Sequence, residues 1–146
     1  MKYGLFMMPS HPPERNIYDA HQWDLDYLAL CDALGYDEAW IGEHFTSPWE
    51  PIPAPDLMIA QALLRTTRIK LGTGVHLLPY HHPAELAHRI AYLDHLAQGR
   101  FLLGIGSSGL PSSDTGNGMA FSPSGTLYLA RDGVLGTMNT SNGAFS

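Results

Sequence analysis

The chain has a single cysteine, little charge and no long apolar run, and each shortage excludes something. Cys31 is the only cysteine among 146 residues. No internal disulfide can form, and a reducing cytoplasm is the expected compartment. Lysine and arginine number 8 against 14 aspartates and glutamates, for a net charge of −6. The few cations are scattered, which argues against nucleic acid and anionic membranes, since both require clustered basic side chains. No stretch approaches the ~20 apolar residues of a membrane span. The opening Met1–Pro9 segment is apolar, but Pro9 breaks it, and it lacks the length and the small-residue cleavage site of a signal peptide. With 45% hydrophobic and 15% charged residues, the chain is expected to be globular and to bury one ordinary core.

What is present is a rhythm of short apolar runs and amphipathic segments. Tyr3 to Met8 reads as a buried strand, stopped by a loop with Pro9, Pro12 and Pro13. Asp19 to Leu34 reads as a helix whose apolar face is Trp23, Tyr27, Leu30 and Leu34, with Gly35 at its stop. Asp37 to Gly42 is the second strand, and Thr46 to Pro55 is a proline-rich loop. Asp56 is placed to cap a second helix running through Arg65. Ile69 to Leu78 is the third strand. His81-His82-Pro83 opens a third helix with Leu86, Ile90, Leu93 and Ala97 inward and Gly99 at its end. Phe101 to Ile105 is the fourth strand. The order β-α-β-α-β-α-β predicts an α/β fold of parallel strands with right-handed crossovers. From Ser113 to Ser146 the helical period stops. That tail reads as short strands, best at Thr126–Ala130, with turns at Ser122–Gly125 and Arg131–Gly133.

Three strand tips carry polar groups. Ala39-Trp40-Ile41-Gly42-Glu43-His44-Phe45 ends a strand in a carboxylate, an imidazole and a ring. Leu71 to Leu78 carries Gly72, Gly74 and His76, and Phe101 to Gly106 runs into Ser107 and Ser108. Strand tips are where the reacting groups of an α/β barrel sit, so the three suggest half of an active site. Lys2–Pro13, Gly35–Pro55, Leu71–Pro83 and Leu93–Phe101 resemble the N-terminal half of the bacterial luciferase-like, flavin-dependent monooxygenases, which are (β/α)8 barrel enzymes. The resemblance covers about residues 1–112 and implies a partial TIM barrel. The tail, 113–146, more weakly resembles a gluconolactonase-like β-propeller fragment over Gly118–Tyr128.

The resemblance implies oxidation of a small hydrophobic substrate with reduced FMN and O2. A flavin reductase and a homodimer partner are further expectations. It implies that His44 is the catalytic histidine near the flavin, with Glu43 as its neighbouring acid. It also implies that Gly74-Val75 is a pair often joined by a cis peptide against the flavin, and that Gly106 and Ser107 form the fourth tip beside it. Phe45 stands where many relatives have a second histidine.

The residues themselves leave alternatives open. His44 can serve as general acid or base, or only as a hydrogen-bonded rim residue. Glu43 can orient it or cap a strand end. Gly72 and Gly74 let a flat ring approach the backbone, or mark a bulge. His76 lines the pocket or packs. His81 and His82 read as loop and helix cap, His11 as an exposed loop residue, and Trp40 and Cys31 as core. Trp49 walls a pocket or covers a rim. No compact metal-spaced cluster is visible along the chain, so no metal is expected. Gly104–Gly109 fits G-x-G-x-x-G, but non-helical sequence follows, which weakens a nicotinamide reading; a deazaflavin is a second cofactor alternative. Four βα units fall short of the ~250 residues of a barrel. An inactive truncated or fused fragment with bare edges at strands one and four, acting by self-association, is therefore the non-enzyme alternative.

Overall fold

A computed structural model describes residues 1–45 and 47–107 in full, together with the backbone of 118–121, 127–131 and 134–138. The elements run β1 (Gly4–Met7), α1 (Ile17–Leu34), β2 (Glu38–Ile41), α2 (Pro55–Ala62), β3 (Lys70–Thr73), β4 (His76–Leu77), a 3-10 turn (Leu78–Tyr80), α3 (Pro83–Ala97), β5 (Phe101–Leu102), β6 (Ile105–Gly106), β7 (Gly118–Phe121), β8 (Leu127–Arg131) and β9 (Val134–Met138). β1, β2, β3 and β5 form a parallel sheet in that order. This is the expected β-α-β-α-β-α-β partial barrel.

The third and fourth strands are each broken in two. The peptide bond between Gly74 and Val75 is cis and separates β3 from β4. Thr73 accounts for the second break. Its hydroxyl donates to the Gly104 carbonyl at 2.8 Å and accepts from the Gly104 N–H at 3.1 Å, while the His76 N–H donates to the same carbonyl at 2.9 Å. A side chain thus replaces a ladder rung, and β4 pairs with β6 in a second sheet ordered β4-β6-β7-β8-β9. β6 to β7 and all later pairings are antiparallel. The tail strands therefore cover β6, while β1 and β5 remain the edges of the first sheet. β8 coincides with the expected Thr126–Ala130 strand to within one residue. The Ser122–Gly125 turn, residues 132 and 133, and residues 108–117 lie outside the described residues.

The core lies between the first sheet and the helices. Met7, Ala39, Ile41, Ile69 and Leu71 pack there against Leu25, Leu28, Met58, Ile59 and Leu93. α1 begins two residues earlier than expected because Asn16 caps it, its Oδ1 accepting from Tyr18 N–H at 2.9 Å and Asp19 N–H at 3.4 Å. Gly35, at φ 92°, supplies the left-handed stop. The buried stripe of α1 is not the expected one. Ala20, Asp24, Leu25, Leu28 and Cys31 face inward, whereas Trp23, Leu30 and Leu34 are exposed. Asp24 tolerates burial because both its oxygens lie 3.0 Å from His11 Nε2. His11 is accordingly buried and not an exposed loop residue. Trp23 stacks on Tyr27 at 5.4 Å and meets the His11 ring edge-on.

Two further expectations are corrected. Asp56 does not cap α2, whose N-cap is Ala54 and which ends at Ala62; it is buried and pairs with Arg89 of α3 at 2.5 Å. Trp40 is not a core side chain. It stands half-buried on the sheet face opposite the helices, beside exposed Phe6, and its indole N–H donates to Glu38 at 3.2 Å. α3 follows expectation, with Leu86, Leu93 and Ala97 buried and Ile90 half-buried.

Candidate active site

In-register parallel pairing puts Met7, Ile41 and Thr73 side by side. The residues that follow them, Met8, Gly42-Glu43-His44 and Gly74-Val75, therefore share the carboxyl edge of the sheet. Gly106 joins this edge through its pairing with Leu77. Gly106 is buried, while Gly74, Val75 and Ser107 are half-buried.

Glu43 and His44 diverge. The His44 backbone N–H is fixed to the Ile52 carbonyl at 2.9 Å. Its Nδ1 lies 3.3 Å from a Glu50 carboxylate oxygen. Its Nε2 is buried without a hydrogen-bond partner among the described residues. The space beside Nε2 belongs to Gly42: a Cβ placed there would stand 2.8 Å from Nε2 and 3.0 Å from Met8 Sδ. The carboxylate beside the His44 ring is thus Glu50, not Glu43. Sequence reasoning passed over Glu50, and its one signal is being the sole carboxylate of the proline-rich loop.

Glu43 turns toward the next strand. Its carboxylate accepts from the Leu77 backbone N–H, so it caps a strand end, that of β4. It also lies 2.6 Å from His81 Nε2 and 3.4 Å from His76 Nδ1. Burial pushes the Glu43 carboxyl upward, but hydrogen bonds from His76, Leu77 and His81 outweigh it and hold the group below the usual carboxylate range. His76 is fully buried, and its ring meets His81 edge-on at 5.1 Å. His81 is therefore a partner of Glu43 and not a plain loop residue; His82 is the N-cap of α3 without a side-chain capping bond. Phe45 packs on Tyr80 at 4.6 Å, while Trp49 is exposed.

The side chains that approach Gly72 and Gly74 closely are the protein's own Trp40 and Phe6. A Cβ on Gly72 would stand 2.5 Å from Trp40, and one on Gly74 3.0 Å from Phe6.

The family described as luciferase-like monooxygenase matches residues 1–128. The chain belongs to the luciferase-like monooxygenase family. Among its relatives, 4-hydroxyprotoasukamycin monooxygenase of Streptomyces nodosus subsp. asukaensis is 46% identical over 112 residues, covering 77% of this chain and 30% of that protein. Limonene 1,2-monooxygenase of Rhodococcus erythropolis is 42% identical, covering 71% of this chain and 27% of that protein. A solved structure of the oxygenating constituent of 3,6-diketocamphane monooxygenase from Pseudomonas putida, a type II Baeyer-Villiger monooxygenase in complex with FMN, superposes with a TM-score of 0.73 at 40% identity. It covers 76% of this chain and 30% of that one. The chain thus spans about a third of the length of these luciferase-like relatives. No described helix is long and apolar enough to cross a membrane.

Proposed function

We propose that this chain forms one side of the active site of a flavin-dependent monooxygenase that acts with reduced FMN and O2 on a small hydrophobic compound. The observation that carries the reading is the orphaned, buried Nε2 of His44, aimed beside a residue without a side chain at the carboxyl edge of the parallel strands. Gly74, Val75, Gly106 and Ser107 on the same edge would hold the flavin. When bound, reduced flavin supplies the electrons that activate O2. The relatives named for limonene and diketocamphane support an apolar substrate. A flavin reductase and a second subunit complete the proposal.

The chain's own contribution is positional and protonic. Glu50 lies 3.3 Å from His44 Nδ1, and the opposite nitrogen, Nε2, is the one without a partner among the described residues, free to exchange a proton at the strand edge. Glu43 acts one step removed, fixing β4 and the turn after it. In a full-length relative carrying these residues, His44→Ala should lower kcat about 100-fold while FMN affinity stays nearly unchanged; unaltered turnover would remove the proton role. Titrating this chain with FMN and with a deazaflavin by fluorescence decides between the two cofactors.

The exposed Phe6 face and the open β1 edge favour a second reading, a self-associating chain without activity. Sedimentation separates the two: a monomer that binds FMN supports the first, and an oligomer that binds none supports the second.

A further inference from the structure

We propose that Glu43, His76 and His81 form a binding site for a divalent transition-metal ion of the zinc class. The three are far apart in sequence, yet each presents a ligand atom within 4.8 Å of the other two. The set is two imidazoles and a carboxylate, the donor chemistry of zinc-class ions in proteins. All three side chains are largely withdrawn from water: Glu43 and His76 are 0% exposed and His81 is 13% exposed.

Charge balance argues for a cation. A carboxylate buried this deeply is costly without a counter-charge. Among the described residues Glu43 has no lysine or arginine partner; the Leu77 N–H and the two histidines are what face it. The spacing of the ligand atoms is near that of a bound ion. Metal bonds of ~2.0–2.1 Å in a tetrahedral site put ligand atoms about 3.3 Å apart. The Glu43–His76 separation of 3.4 Å already fits. The Glu43–His81 separation of 2.6 Å has to open by about 0.7 Å, and His81 can yield because it follows the 3-10 turn and retains a solvent-facing edge. His76 presents Nδ1 toward Glu43. Its Nε2 has no partner among the described residues, so no second hydrogen bond locks the tautomer. The bound ion ties the tip of β2 to β4 and the turn after it. This inference does not depend on the flavin reading.

The test uses the full chain with Co2+ alone, followed by visible d–d absorption, and then Zn2+ in competition. One equivalent of Co2+ should give tetrahedral-type bands that Zn2+ abolishes, and Zn2+ should raise Tm. His81→Gln and Glu43→Gln should each weaken binding at least about 100-fold. Exposed His82→Gln should leave it unchanged, and circular dichroism confirms that each variant is folded. Should Glu43→Gln fail to fold, His81→Gln decides alone. Absence of stoichiometric binding to the folded wild-type chain overturns the proposal, as does binding that survives His81→Gln or that His82→Gln removes.

Discussion

Gly104→Ala should destabilise the fold by about 4 kcal/mol, lowering Tm by about 12 °C. A Cβ at this position is driven into the carbonyl oxygen of Thr73, a backbone atom that cannot swing aside, and also stands 3.4 Å from Val75 Cγ1. The same residue anchors the Thr73 hydroxyl in both directions and receives the His76 N–H. Pushing the strands apart therefore breaks three hydrogen bonds, two of them made by a buried threonine, and each buried group left unpaired costs about 1–3 kcal/mol. Gly99→Ala is the informative contrast. Nothing lies within 4 Å of its Cβ position, and only its φ of +84° opposes a side chain, so its cost should stay near 1–2 kcal/mol. Thermal or urea denaturation measures both. Equal losses for the two variants would show that the Thr73–Gly104 junction is not tightly packed.

That junction also shows where reading from sequence stopped. The alternation of apolar runs and amphipathic segments was enough to order the strands and helices and to predict parallel pairing, because each run is bounded by glycine, proline or a cap. The break between β5 and β6 was not visible, since it depends on a threonine hydroxyl 31 residues away taking a backbone rung. The face of α1 was misjudged for a related reason. Two stripes have helical period, and the buried one includes Asp24, which periodicity counts as polar until His11 is seen to satisfy it. At the candidate site, the carboxyl edge was legible from polar residues ending apolar strands. The pairing there was not: Glu43 and His44 are adjacent in sequence, but strand-like alternation sends one to His76 and His81 and the other to Glu50. The metal-capable trio has no motif because two strands and a turn assemble it.

Asp32→Ala should cost about 3 kcal/mol, and the loss should depend on pH. Asp32 lies in the last turn of α1 and reaches across to the segment that leads into β3. One oxygen accepts from the Ile69 N–H at 2.7 Å and the Arg68 N–H at 3.2 Å. The other accepts from the Thr67 N–H at 2.7 Å and its hydroxyl at 3.2 Å. Three consecutive backbone donors, which no helix or strand satisfies, thus depend on one carboxylate, as capping donors do at a helix start. Partial burial pushes this carboxyl upward, but the hydrogen bonds from Thr67, Ile69 and Arg68 outweigh it and hold the group below its ordinary value. Because the folded state favours the ionised form, the contribution is complete above the unfolded carboxyl's pKa of about 3.9 and disappears as pH falls through the lower folded value. The gap in stability between the wild-type chain and Asp32→Asn should therefore be constant from neutral pH down to about pH 5 and should close below about pH 4. Other acids contribute equally to both proteins and cancel in the difference. Asparagine keeps the shape and one acceptor but presents an N–H to a backbone donor, so a gap that stays constant into strong acid would mean that shape, not charge, holds the turn to α1.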